Sequence, residues 1–224
     1  MSPLPGSLRI VDDVPSSFAA TVIEAFRDRK GARFSMVLSG GPTARACYER
    51  LADAGAERVD WRYIDIYMGD ERCVPADDED ANQRYVHEIF VERFEDLGSF
   101  HPMSCEEGPE AYQRLLERVG PLDLVHLGMG PDGHTASLFE GSPALDAPAD
   151  VLVMRSVDPA GVNPHERMTL TLSAIARARL AVITVAGATK RDAMARLIRG
   201  VDLPVASVRA EQVVWLVDND AGML

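Results

Sequence analysis

The hydrophobic positions along the chain form short apolar runs separated by longer amphipathic stretches. Runs typical of strands fall at residues 8–11, 33–38, 63–68, 122–127, 151–154, 168–171, 180–185 and 213–217. Apolar residues at helical spacing occupy residues 12–29, 44–51, 83–94, 110–119 and 189–199, with a short apolar helix near Ile175. Strands that alternate with helices predict an α/β fold with a mostly parallel sheet. No repeat or linker interrupts the pattern, so we expect a single domain over residues 1–224.

One stretch joins a strand to an unusually tight turn. The apolar run Leu122–Leu127 leads into residues 128–133, which contain three glycines, a proline and an aspartate. His134 follows directly, and residues 135–139 can open a helix that would soon end. An imidazole is therefore expected at the carboxyl end of a strand, where open α/β sheets bind ligands.

This turn has two other interpretations. Gly128, Gly130 and Gly133 match the G-x-G-x-x-G dinucleotide fingerprint. That motif needs a full helix after the strand and usually lies in the first βα unit, whereas more than half of this chain precedes the turn. The turn can also be purely structural, with His134 on the surface.

Composition limits the classes of function. The chain is 46% hydrophobic and 26% charged, its formal net charge is −12, and no apolar run approaches the ~18 residues of a membrane span. The acidic balance argues against nucleic-acid binding but allows a local basic pocket. The first residues lack a signal-peptide pattern, and the three cysteines are widely spaced. We therefore expect a cytoplasmic protein without disulfides or a zinc site.

Two further loops carry candidate chemistry. Residues 39–43 join a strand to a helix through Gly40 and Gly41, where free amides and the helix dipole suit a phosphate; a plain turn with Thr43 as N-cap is the alternative. Asp70 and Arg72 follow the third strand, either as a solvated cluster or as groups in a cleft.

Two more cations fall near predicted element ends. Arg167 precedes an apolar–polar alternation, and Lys190 lies at a helix N-terminus, where a cation is mildly unfavourable unless an anion is nearby. His126 lies within a strand and is expected to be a core histidine.

Taken in order, these motifs resemble the family of 6-phosphogluconolactonases and glucosamine-6-phosphate deaminases. The matching pieces are residues 38–43, 69–72 with Asn82, 127–139, 167–171 and 187–190, which cover nearly the whole chain. The resemblance implies a Rossmann-like sheet of the deaminase/ribose-5-phosphate isomerase type. The chain departs from the family at Pro42 and Ala44, where the family commonly has serine and proline, so backbone amides are expected to contact the phosphate.

Within the family, the motifs favour the lactonase. Deaminases typically place a carboxylate shortly after the histidine and have Asp-Glu-Tyr where this chain has Asp70, Glu71 and Arg72. The resemblance therefore implies hydrolysis of 6-phospho-D-glucono-1,5-lactone in the oxidative pentose phosphate pathway. A deaminase, or a non-catalytic sugar-phosphate sensor, is the alternative.

The roles implied by the resemblance are as follows. His134 would be the general base, Arg72 or amides of the glycine turn would stabilise the oxyanion, and Asp70 would orient substrate, water or His134. The remaining predicted substrate-binding residues are Gly40, Gly41, Thr43, Gly130, Asp132, Gly133, Arg167 and Lys190. No metal or cofactor is expected. The expected ligand is a small sugar-phosphate lactone, and no nucleic-acid or membrane partner is expected. The protein is expected to be a monomer or a small homo-oligomer.

Overall fold

A computed structural model describes residues 4–222 of the 224-residue chain. The strands are β1 (Ser7–Val11), β2 (Phe34–Leu38), β3 (Ile64–Met68), β4 (Asp70–Arg72), β5 (Ser99–His101), β6 (Leu124–Gly128), β7 (Val153–Ser156), β8 (Arg167–Leu170), β9 (Leu180–Val185) and β10 (Gln212–Asp218). The α-helices are α1 (Val14–Arg27), α2 (Pro42–Gly55), α3 (Asn82–Val86), α4 (Pro109–Val119), α5 (Leu172–Ile175), α6 (Arg191–Ile198) and α7 (Asn219–Gly222).

Seven strands form one parallel sheet, in the order β1-β10-β9-β6-β2-β3-β5. From β2 the chain builds outward through β3 and β5, and from β6 it builds in the opposite direction through β9 and β10. The order thus reverses between β2 and β6, which is where open α/β sheets form a crevice. The predicted mostly parallel α/β fold is confirmed.

A second, antiparallel sheet has the order β4-β8-β7. The sequence pattern predicted β7 and β8 but missed β4 and β5. Both missed strands are only three residues long, and β4 is Asp-Glu-Arg, which has no apolar signature. The small sheet carries those charged residues beside the carboxyl edge of the large one.

Two local predictions about helices were wrong. Residues 135–139 form turns around Ala136, whose φ of +48° is outside the helical region. The helix predicted at residues 189–199 begins later than expected, because residues 188–190 form a 3₁₀ turn and Lys190 is the N-cap of α6. The predicted helix at residues 83–94 is α3 continued by a π-helical turn, His87–Val91.

The expectation of no disulfide was also wrong. Cys73, directly after β4, is bonded to Cys105 in the loop between β5 and α4, with Cα atoms 5.4 Å apart. The two are 32 residues apart in sequence, and the tertiary fold brings the end of β4 close to the loop that follows β5. Cys47 is a buried free thiol. Disulfides persist mainly in oxidising compartments, so this pairing does not support the cytoplasmic location expected from the cysteine spacing. That location stays a prediction.

The apolar core is one continuous cluster between the large sheet and its helices. Every residue of β2 is buried, as expected for a central parallel strand. Helices α1 and α2 pack against each other and against central strands. No helix within residues 4–222 is both long enough and apolar enough to cross a bilayer.

Candidate active site

A cavity of about 290 Å³ lies at the carboxyl edge of the large sheet, where the strand order reverses. Four neighbouring parallel strands, β9, β6, β2 and β3, send their following loops to this edge. The small sheet adds side chains from β4 and β8. Nine predicted residues line the cavity: Gly40, Gly41, Thr43, Asp70, Arg72, Gly130, His134, Arg167 and Lys190.

His134 lines the cavity and is oriented by Asp132. Its Nδ1 lies 2.6 Å from Asp132 Oδ1, while Nε2 has no hydrogen-bond partner among residues 4–222. Burial raises the pKa of Asp132, but the hydrogen bond and charge of His134 outweigh it and lower that pKa to about 2. The carboxylate is therefore ionised and can only accept, so Nδ1 must donate. In the neutral ring the free lone pair then belongs to Nε2.

The glycine turn is shaped around this pair. A Cβ on Gly130 would lie 2.2 Å from His134 Nδ1 and 2.4 Å from Asp132 Oδ1, so only glycine fits there. The Gly130 amide donates to the His134 carbonyl, and the Gly133 amide donates to the Gly130 carbonyl. Both amides are thus engaged within the turn. Asp132 and Gly133, predicted as substrate-binding residues, do not line the cavity.

Two arginines from the small sheet face each other across neighbouring strands. Arg72 of β4 is directly opposite Arg167 of β8 in the antiparallel register, and both line the cavity. Burial lowers the pKa of Arg167, and Arg72 lowers it further, whereas Asp70 raises it. Like charges opposite each other are destabilising. The arrangement therefore favours an anion between or beside the two guanidinium groups.

Each arginine is incompletely satisfied by the protein. Arg72 Nη1 donates to the Asp80 carbonyl at 2.6 Å. Arg167 makes long hydrogen bonds of 3.4 Å to Ser137 and Asn163, and its Nη1 lies 3.9 Å from Asp70 Oδ2. The Nε atoms of both arginines are buried without a partner in the described part of the chain. Buried cations with free donors are suited to binding carboxylate or phosphate groups.

Glu71 and Asn82 support this side of the cavity, and sequence reasoning gave neither a role. The buried Glu71 carboxylate accepts the backbone N–H groups of Arg72, Asn82 and Gln83, each at 2.7 Å. Asn82 Nδ2 donates to the Asp70 carbonyl, and its carboxamide occupies the space where a Gly40 side chain would be. These contacts fix β4 relative to the Gly40 loop. Only the position of Asn82 after the Gly-Asp-Glu-Arg motif hinted at its place.

The N-termini of two helices complete the cavity. Gly41, with φ of +102°, is the N-cap of α2, and no side chain caps this helix. Pro42 has no N–H, so the free donors of the first turn include the Thr43 and Ala44 amides. Lys190 is the N-cap of α6; burial lowers its pKa, and its ammonium has no hydrogen-bond or ion-pair partner within residues 4–222. Both features suit a phosphate.

His126 lies beneath the cavity and is a core residue, as predicted. It is fully buried, Nδ1 lies 2.7 Å from the Tyr48 hydroxyl, and Nε2 lies 2.8 Å from Thr184 Oγ1. Burial lowers its pKa to about 3. The hydroxyls of Tyr48 and Tyr85 also donate to the Ser39 carbonyl, so this network holds the start of the Gly40 loop.

The cavity offers charged and amide groups for a small anion rather than a preformed metal site. In the part of the chain that is described, no group of three or more His, Cys, Asp or Glu side chains is placed to hold a metal ion. Lining residues to which the sequence gave no role include Ser39, Asn82, Asn163 and Thr184. Ser39 lies within the recognised motif at residues 38–43, and Thr184 lies shortly before the one at residues 187–190, but their contacts with His126 depend on the fold.

The fold and cavity define an α/β protein whose sheet has, at its switch point, a cavity lined by cationic side chains and free backbone amides. A model of the family described as glucosamine-6-phosphate isomerases/6-phosphogluconolactonase matches residues 9–215, and the chain belongs to that family.

The similar proteins carry a more specific name. The 6-phosphogluconolactonase of Mycobacterium bovis is 33% identical over 207 residues, covering 83% of each chain. That of Caulobacter vibrioides is 34% identical over 216 residues, covering 91% of this chain and 89% of the relative. The crystal structure of the Thermotoga maritima 6-phosphogluconolactonase superposes with a TM-score of 0.82 at 27% identity, covering 95% and 99% of the two chains. These matches confirm the predicted family, fold type and enzyme class.

Proposed function

We propose that this chain hydrolyses 6-phospho-D-glucono-1,5-lactone to 6-phospho-D-gluconate with His134 as the general base, a step of the oxidative pentose phosphate pathway. The observation that carries the mechanism is the orientation of His134. Nδ1 is held by an ionised Asp132, and Nε2 is free at a residue that lines the cavity. We also propose that the chain acts as one domain of residues 1–224.

The proposed reaction begins with a water molecule beside Nε2. His134 accepts a proton from the water as its oxygen attacks C1 of the lactone. The carbonyl oxygen becomes an oxyanion, and Arg72 donates to it, because the amides of Gly130 and Gly133 are engaged within the turn. When the bond from C1 to the ring oxygen breaks, the imidazolium returns the proton to that oxygen. The products are the open-chain acid and the regenerated base.

The 6-phosphate would be held away from the reacting carbon. Lys190 and the free amides at the start of α2 supply donors without protein partners, and Arg167 supplies a buried positive charge. Binding the phosphate at a fixed place would keep C1 close to His134 and reduce the entropy lost on reaching the transition state. Asp70 would orient a substrate hydroxyl or the water.

The test is a direct comparison of two substrates. Freshly generated 6-phosphogluconolactone is followed with wild-type protein, and the lactone's own hydrolysis in buffer is subtracted; glucosamine 6-phosphate is assayed in parallel for ammonia. We expect rapid loss of the lactone without ammonia. Ammonia release would move the assignment to a deaminase. Binding of 6-phosphogluconate without turnover of either substrate would support a non-catalytic sensor.

A further inference from the structure

Ser137 is a buried hydroxyl placed between two opposite charges behind the cavity. Its Oγ donates to Asp70 Oδ2 at 2.7 Å and accepts a hydrogen bond from Arg167 Nη1 at 3.4 Å. Serine has a single O–H, which Asp70 accepts, so the lone pairs of the hydroxyl face the guanidinium. The nearest atoms of the two charged groups, Arg167 Nη1 and Asp70 Oδ2, stay 3.9 Å apart.

The backbone of Ser137 is fixed on both sides by the small sheet. Its N–H donates to Thr169 Oγ1 of β8 at 3.2 Å, and its carbonyl accepts the Ser156 hydroxyl of β7 at 2.6 Å. Thr169 is also directly opposite Asp70 in the β4–β8 register. The preceding residue, Ala136, is held at φ of +48°, which non-glycine residues seldom adopt. The hydroxyl is therefore a rigid spacer and not a mobile side chain.

The distance between Arg167 and Asp70 determines how far the Arg167 guanidinium remains free to bind a ligand in the cavity. A charge-assisted hydrogen bond between a guanidinium and a carboxylate usually spans about 2.7–2.9 Å, so this pair lies about 1 Å beyond direct contact. Arg167 has only long contacts with the protein, and its buried Nε has no partner in the described residues. If Arg167 closed onto Asp70, both groups would satisfy each other and turn away from the cavity.

We infer that Ser137 is a positioning residue that holds the ion pair of Asp70 and Arg167 at 3.9 Å and keeps it from closing to hydrogen-bond distance, so that both groups remain free to bind the sugar phosphate. The inference rests on the proposed function, since it assigns Arg167 and Asp70 to the substrate. It adds a residue that touches no reacting atom and acts only through these two charges.

The first test compares two deletions of a buried hydroxyl. In Ser137→Ala, Arg167 can close onto Asp70, and both groups lose their hydrogen bonds to the ligand. Binding of 6-phosphogluconate, measured by calorimetry, should therefore weaken about tenfold or more. KM for the lactone should rise in parallel. Ser142→Ala is the matched control: Ser142 is as buried, and its hydroxyl contacts Ser156 and the Ala144 amide but no charge. Its affinity for 6-phosphogluconate should stay at the wild-type value.

A double-mutant cycle separates positioning from a general loss of packing. In Asp70→Asn the acceptor is neutral, so no ion pair can close when the spacer is removed. Adding Ser137→Ala to Asp70→Asn should then change the affinity little, and the two effects should be strongly non-additive. If Ser137→Ala does not fold, as judged by circular dichroism, Ser137→Cys gives the converse test. Its thiol donates weakly but still fills the space between the two charges, so its affinity should stay close to that of the wild type, and a tenfold loss would overturn the inference.

The outcomes are distinct. Wild-type affinity in Ser137→Ala, equal losses in Ser137→Ala and Ser142→Ala, or additive effects in the cycle would each overturn the inference and leave the proposed function intact. Failure of the wild-type protein both to bind 6-phosphogluconate and to hydrolyse the lactone would overturn the proposed function, and the inference with it.

Discussion

His126 and His134 belong to one strand and the turn that follows it, yet their surroundings are opposite in kind. Both ring nitrogens of His126 are hydrogen-bonded, the side chain is fully buried, and burial lowers its pKa to about 3. His134 has one nitrogen on an ionised carboxylate and the other free beside a cavity. A histidine whose nitrogens are both satisfied stabilises the fold, whereas one with a free, oriented lone pair can exchange protons.

The largest expected effect is the loss of catalytic rate when His134 is replaced. His134→Ala should lower kcat for lactone hydrolysis about 10²- to 10⁴-fold, the range typical of general-base catalysis. KM should change little, because the phosphate-binding groups remain. The free energy of unfolding, from urea titration, should stay within about 1 kcal/mol of the wild type for a side chain near the surface. A large loss of stability would instead place His134 in the same structural class as His126.

The same substitution at the buried histidine should have the reverse profile. His126→Ala leaves a cavity and removes partners from Tyr48 and Thr184, so it should cost about 2–4 kcal/mol of unfolding free energy. Urea titration measures the loss. The kcat of the folded protein should stay much closer to the wild type than that of His134→Ala. Equal losses of kcat in both variants would contradict the assignment of a structural role to His126 and a catalytic role to His134.

Replacing Lys190, a cation that lines the cavity, should change KM more than kcat. Lys190→Ala should raise KM about 10- to 100-fold with kcat nearly unchanged, because a charged hydrogen bond to the phosphate is lost. Steady-state kinetics gives both constants. The control is Lys30→Ala, which removes an exposed lysine just ahead of the amino end of β2. An unchanged KM in Lys190→Ala would remove Lys190 from the phosphate site.

The smallest effects should come from replacing Asp132, which orients the His134 ring. Asp132→Asn should lower kcat about tenfold, because the charge-assisted hydrogen bond to Nδ1 weakens. The pKa of Asp132 is lowered from 3.8 to about 2, so its ionised form stabilises the fold above pH 3.8. That contribution is lost as pH falls through about 2. Urea midpoints measured over this range should therefore fall less steeply in Asp132→Asn than in the wild type.

The sequence predicted the His134 side of the site better than the β4 side. An apolar run followed by a glycine turn is a local signal, and it correctly placed His134 at the end of β6. The charged strand β4 has no such signal, so Asp70 and Arg72 were recognised only as a motif. Their pairing with β8, which puts Arg72 opposite Arg167, is a contact between residues almost a hundred positions apart. Periodicity carries no information about such contacts.

Other parts of the site depend on tertiary contacts in the same way. The turn at Ala136 replaced the short helix expected there, and it is this turn that brings Ser137 to Asp70. Asp132 was expected to contact substrate, and its hydrogen bond to His134 became visible only with the side chains in place. The disulfide between Cys73 and Cys105 was missed because no local spacing rule covers cysteines joined across two loops.

The most direct test of the base role is chemical rescue of His134→Ala with imidazole. Lactone hydrolysis by the variant is measured at increasing imidazole concentration, and the enzyme-free rate at each concentration is subtracted. We expect a slow variant whose enzyme-dependent rate rises with imidazole, while the wild type does not respond. A variant that hydrolyses the lactone at the wild-type rate without imidazole would contradict the assignment of His134 as the general base.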